Sequence, residues 1–140
     1  MSNLDLQSLL GISSDTVEAL LNRAAALYSE GQFETMRKTL DGVIALSPDD
    51  ARAYTLIGSS FIQEGRDRDA ETAYTAAYER DAEDPYTLVA LGELKLRALD
   101  LPAAVPLFEK LFTLDPDGTH PAANRGRVLV QDYHTKLSGG

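Results

Sequence analysis

Gly58, Gly92 and Gly126 stand 34 residues apart, and Ala24 lies one period earlier. Other columns keep the same spacing. Leu20, Tyr54, Leu88 and Ala122 form one, and Leu40, Tyr74 and Phe108 another. Val43, Ala77 and Leu111 follow, as do Met36, Ala70 and Ala104. Pro48 and Pro116 are two periods apart, with Ala82 between them. One column can arise by chance, but columns this consistent in residue size do not. A chain that repeats itself at this period builds one small unit several times and stacks the copies. A unit that short cannot bury its apolar face alone.

Within each period a large apolar residue precedes a small one by four positions, as in Tyr54 and Gly58 or Leu88 and Gly92. That spacing is one turn of helix. Glycine inside a helix costs about 1 kcal/mol against alanine, so Gly58 and Gly92 need a packing reason. A small residue where two helices cross closely supplies one. Ala70 and Ala104 mark the matching crossing on the second helix, Gly31 and Gly65 the turn between the helices, and Pro48 and Pro116 the end of the second helix. The pattern resembles the tetratricopeptide repeat. The expected fold is an all-α tetratricopeptide-repeat solenoid forming a single domain over 1–140. Its repeats are 17–50, 51–84 and 85–118, preceded by a short N-terminal helical segment within 1–16 and closed by a capping helix over 119–137. Ser138, Gly139 and Gly140 are expected to be disordered.

Several positions strain the pattern. Ile12 to Leu21, "ISSDTVEALL", reads as a helix start, with Ser14 or Asp15 as N-cap and Glu18 closing a capping box. Leu99 stands where the other repeats have a turn glycine, and Lys95 where Leu27, Phe61 and Leu129 are apolar. Pro102 fits a first helical turn. Pro106, one turn further on, predicts a late start or a kink in that helix.

Composition excludes several kinds of chemistry. The chain has no cysteine, hence no disulfide framework and no thiolate metal site or nucleophile. With 13 basic and 22 acidic residues its net charge is −9, and no cluster of Lys and Arg is present to bind phosphate. Nucleic acid and membrane surfaces are not expected partners. The N-terminus has neither the basic start nor the apolar run of a secretory signal. His120 and His134 lack metal-site spacing and read as surface histidines. Asp49–Asp50, Glu83–Asp84 and Asp115 with Asp117 fall between repeats, where acidic residues cap helices. No catalytic residue, metal site or cofactor is expected.

Stacked helix pairs offer a concave face lined by first helices. By repeat position that face comprises Leu21, Ala25 and Tyr28, then Arg52, Thr55, Ser59, Ile62 and Gln63, then Tyr86, Val89, Glu93, Leu96 and Arg97. The first repeat also presents Glu18 there. Apolar pockets beside groups able to bond a peptide backbone suit an extended polypeptide with hydrophobic anchors. Alternatively, some of these apolar groups pack against a neighbouring helix. Heat-shock co-chaperones hold a carboxylate with Lys and Asn where this chain has Leu21 and Ala25, so no carboxylate clamp is expected.

"ISSDTVEALL" followed by "LYSEGQFE", then "IALSPDDARAYTLIGSSFIQEGR" and "ERDAEDPYTLVALGE", resemble class II chaperones of bacterial type III secretion systems over residues 10–118. Pro85 and Glu93 stand where that family has Pro and the Glu of its Ala-Ala-Glu-Cys motif, although that motif is Leu91-Gly92-Glu93-Leu94 here. The resemblance implies a bacterial cytoplasmic chaperone that holds an extended segment of a hydrophobic, translocator-type substrate until export. It also implies a homodimer, for which residues 4–12 are the candidate contact. Leu4, Leu6, Leu9, Leu10 and Ile12 could equally fold back onto the first repeat. A scaffold joining folded partners, unrelated to secretion, is the alternative function.

Overall fold

The computed structural model describes residues 3–139, with the side chains of residues 3–10 and Ile12 outside the description. The proposed dimer contact at residues 4–12 therefore lies largely outside the described side chains. Seven helices account for the described residues: α1 (Asn3–Ser29), α2 (Phe33–Leu46), α3 (Ala51–Gln63), α4 (Asp67–Arg80), α5 (Pro85–Arg97), α6 (Leu101–Leu114) and α7 (Pro121–Gly139). They fall into two compact units, Met1–Ala73 and Tyr74–Gly140, whose boundary lies within α4.

In the first unit α1 packs on α2, and α3 packs on both. Its core holds Leu21, Ala24 and Leu27 of α1, Met36, Leu40 and Val43 of α2, and Ala53 of α3. The turn from α1 to α2 is a Schellman cap. Gly31 N–H donates to Tyr28 O and Gln32 N–H to Leu27 O, with Gly31 at φ 74°. The same pair of bonds closes α3, from Gly65 to Ile62 and from Arg66 to Phe61, with Gly65 at φ 73°. Arg37 joins α2 to α3. It donates to Ser60 Oγ at 2.9 Å and to Glu64 at 2.6 Å, and its guanidinium lies 4.4 Å from the centre of the Phe61 ring.

In the second unit α5 packs on α6, and α7 packs on both. Phe108 of α6 is central, lying against Gly92 of α5 and Gly126 of α7. A Cβ on Gly92 would meet the Phe108 ring at 2.7 Å, and one on Gly126 would meet Leu111 at 2.8 Å. Both glycines are there because aromatic and aliphatic side chains occupy the space of a Cβ. The α5 turn repeats the Schellman bonds, from Leu99 to Leu96 and from Asp100 to Lys95, but with Leu99 at φ 60°.

Three boundaries differ from expectation. α1 runs unbroken from Asn3, so Ser14 and Asp15 lie inside it and do not cap it. No proline interrupts this stretch, and Gly11 is a tolerated cost of about 1 kcal/mol. The N-terminal segment is thus continuous with the first helix. α6 starts at Leu101, capped by Asp100, whose side chain accepts from Ala103 N–H, and it takes Pro106 internally. The late start does not occur, because Pro102 sits in the first turn, where no N–H is needed. α7 reaches Gly139, so Ser138 and Gly139 are helical rather than a disordered tail.

Candidate functional site

Three of the acidic residues between repeats, Asp50, Asp84 and Asp115, bond to the backbone at helix starts. Asp50 accepts from Arg52 N–H at the start of α3. One period later Asp84 accepts from Tyr86 N–H and from the Thr87 hydroxyl at the start of α5. Asp115 is a buried hub. It accepts from Thr119 N–H, Thr119 Oγ1, His120 N–H and Arg127, and so ties the α6 end to α7. Burial would raise its pKa. The bonds from His120, Arg127 and Thr119 outweigh this and hold it at about 2. His120 Nδ1 accepts from Ala122 N–H, and its ring meets Tyr86 edge-on at 5.2 Å. Among the described residues no three His, Asp or Glu side chains gather as a metal-binding set. No described helix is long and apolar enough to cross a membrane.

The expected binding residues divide by unit. In the first unit Leu21 is only 7% exposed and belongs to the core, so it offers little to a ligand. Ala25 is exposed, and Tyr28 is half-buried with its ring 5.7 Å from Phe33. Arg52 is exposed but engaged. Its guanidinium binds Glu18 at 2.8 Å and Asp50 at 2.7 Å. The bond from Arg52 lowers the Asp50 pKa, and Asp50 and Glu18 together raise that of Arg52. Thr55 and Ser59 are half-buried and donate to the carbonyls one turn back, Ala51 O and Thr55 O. Ile62 is half-buried and Gln63 exposed beside it.

In the second unit Val89 is 6% exposed and sits in the core, so it too is withdrawn. Leu88 beside it is fully buried in the same core, with Ala104, Phe108 and Leu111 of α6. Tyr86 is exposed against His120. Glu93, Leu96 and Arg97 come together in a cleft of about 400 Å³, walled opposite by Leu129, Asp132, Tyr133 and Lys136 of α7. Glu93 is paired with Arg125 at 2.9 Å. Repeat position could not find the α7 wall. α5 ends at Arg97, which one period later is Gln131, so Asp132, Tyr133 and Lys136 lie past the end of a regular first helix. The only signal was the continued helical pattern past residue 130.

A family model for the tetratricopeptide repeat matches residues 51–84. No curated protein sequence matches the chain. The chain is similar to the Yersinia enterocolitica type III secretion chaperone SycD in complex with a peptide of the translocator YopD. Identity is 22%, coverage is 90% of this chain and 98% of that one, and the TM-score is 0.77. PcrH from Pseudomonas aeruginosa matches at 22% identity and TM-score 0.72, over 86% of this chain and 92% of that one. The TPR2B domain of yeast Sti1, in a complex with pHsp70, matches at 14% identity and TM-score 0.74, over 86% of this chain and 98% of that one. With these likenesses and the repeat match, the chain has an all-α tetratricopeptide-repeat fold.

Proposed function

We propose that this chain is a non-catalytic bacterial chaperone that holds an extended segment of a hydrophobic secreted protein before export. The observation that supports it best is the α5–α7 cleft. There Leu96, Leu129 and the Tyr133 ring offer apolar surface beside the polar ends of Arg97, Asp132 and Lys136. An extended peptide needs that mixture, with anchors for alternate side chains and partners for its backbone. In the first unit Ala25, Tyr28, Thr55, Ser59, Ile62 and Gln63 supply a second strip of similar character. SycD, in its complex with a translocator peptide, has the same fold over nearly the whole chain. Holding an apolar segment out of solution requires neither ATP nor a bond-making residue, so the mechanism is burial and release.

Capture from the native host tests this. The wild-type chain is expected to retain a hydrophobic secreted protein. Leu96→Glu and Tyr28→Glu are each expected to lower its recovery about ten-fold, the loss of one buried medium-sized side chain's contribution. Retention of a stably folded partner, undiminished by both changes, would favour a scaffold and overturn the proposal.

A further inference from the structure

The turn from α5 to α6 carries a leucine where its two counterparts carry glycine. Leu99 holds φ at 60° and is the one residue other than glycine at positive φ among the described residues. The hydrogen bonds of the turn do not call for a side chain, since Gly31 and Gly65 close their turns with the same pair. Nor does lack of space keep side chains off those two turns. A Cβ on Gly31 or on Gly65 would meet nothing within 4 Å. Glycine stands there for its backbone freedom alone, and position 99 forgoes it. A leucine in the left-handed region is strained, because its Cβ crowds the following carbonyl. Backbone strain of this kind gathers at ligand clamps and other functional sites.

Packing within the chain does not offset that strain. Leu99 is 74% exposed, more than any other large apolar side chain among the described residues. It nevertheless lines the α5–α7 cleft, with the half-buried Leu96, Leu129 and Tyr133. An aliphatic group placed there gains little from its own fold and gains most when something entering the cleft covers it. We propose that Leu99 is a specificity-determining residue of this cleft, which with Leu96 and Leu129 seats one apolar side chain of the bound extended segment. This role rests on the chaperone reading and adds to it the chemistry of one ligand position. The anchor is an aliphatic or aromatic side chain, held where the α5 end of the cleft meets the turn. A single substitution removes both the strain and the contact, so Leu99→Gly moves stability and binding in opposite directions.

The test is selection of a displayed random peptide library on the full-length chain. The peptides are about 12 residues long and reach about 40 Å when extended. The wild-type chain should enrich sequences that share an apolar residue at one fixed position. It should bind them about ten-fold more tightly than Leu99→Gly or Leu99→Asn, the equivalent of one buried aliphatic contact. Both replacements accept a left-handed backbone and should fold. Leu99→Gly should raise the urea midpoint while it weakens binding. Leu99→Met, similar in size and polarity, should keep the affinity within about three-fold. Selection repeated on Leu99→Gly should lose the preference at that one position. Binding undiminished in Leu99→Gly and Leu99→Asn but lowered in Leu96→Glu would overturn the role of Leu99 and leave the chaperone reading standing. Weakening by Leu99→Met as large as by Leu99→Gly would mean that the residue only shapes the turn, and would likewise overturn it. No enriched sequence, or binding indifferent to Leu96→Glu and Leu99→Gly alike, would overturn the chaperone reading and this role with it.

Discussion

Leu99 holds φ at 60° in the turn where Gly31 and Gly65 hold 74° and 73°. The hydrogen bonds of the three turns are the same, so the backbone fixes the conformation and the side chain must accept it. A left-handed residue other than glycine costs roughly 1–2 kcal/mol, and Leu99 is 74% exposed, so packing offsets little of this. Leu99→Gly also frees the unfolded chain, which subtracts about 0.4–1 kcal/mol. The expected outcome is a net stabilisation of about 0.5–1 kcal/mol, read by urea unfolding. Gly92 is the opposite case. Alanine would regain about 1 kcal/mol of helix propensity, but its Cβ would sit 2.7 Å from the buried Phe108 ring. Overpacking of that kind costs about 1–3 kcal/mol. Gly92→Ala is therefore expected to lower stability by about 1 kcal/mol net, seen as a reduced urea midpoint with unchanged slope.

α7 is held at its start by one carboxylate. Asp115 binds two backbone N–H groups, a hydroxyl and Arg127, and with them it fixes the turn that launches the helix. Its folded pKa, about 2, lies below its ordinary value of 3.8. A depressed carboxylate contributes stability that is complete above its unfolded pKa and is lost as pH falls through its folded one. Thermal unfolding followed from pH 5 downwards should show this loss beginning near 4 and continuing towards 2, with a weaker pH dependence in Asp115→Asn. At this scale the sequence was legible where period and propensity agree. The Schellman turns, the Asp50 and Asp84 caps and the ends of α2 and α6 near proline follow from residue type at a fixed spacing. Leu99 was visible as a glycine replaced, although its φ was not. The start of α1 was misleading, because Asp15 with Glu18 forms a cap signal that a continuous helix also accommodates. Asp115 was legible as a capping residue between repeats, but its bond to Arg127 was not, since the two lie 12 residues apart and only the turn brings them together.

The two units each carry a first-helix strip, and in each one the core claims a residue that repeat position assigned to the ligand. Leu21 and Val89 are buried. Arg52 and Glu93 have partners within their own unit, at an ordinary exposed-pair strength of about 0–1 kcal/mol, so a ligand could displace them at small cost. What remains open is mixed apolar and polar surface, the surface that the proposed extended segment would meet. Glu93, Leu96 and Arg97, which repeat position put on one face of α5, do line one cleft. Repeat position did not include Asp132, Tyr133 and Lys136 in that cleft, because they lie past Gln131, one period after the end of α5 at Arg97. The most direct test is hydrogen–deuterium exchange on the captured complex and on its separated partner. The chaperone account predicts that the bound segment of the partner exchanges as an unfolded chain when free and is protected in the complex. It also predicts added protection in α5 and α7 of this chain. A partner segment already protected before binding, with no change in α5 or α7, would contradict it.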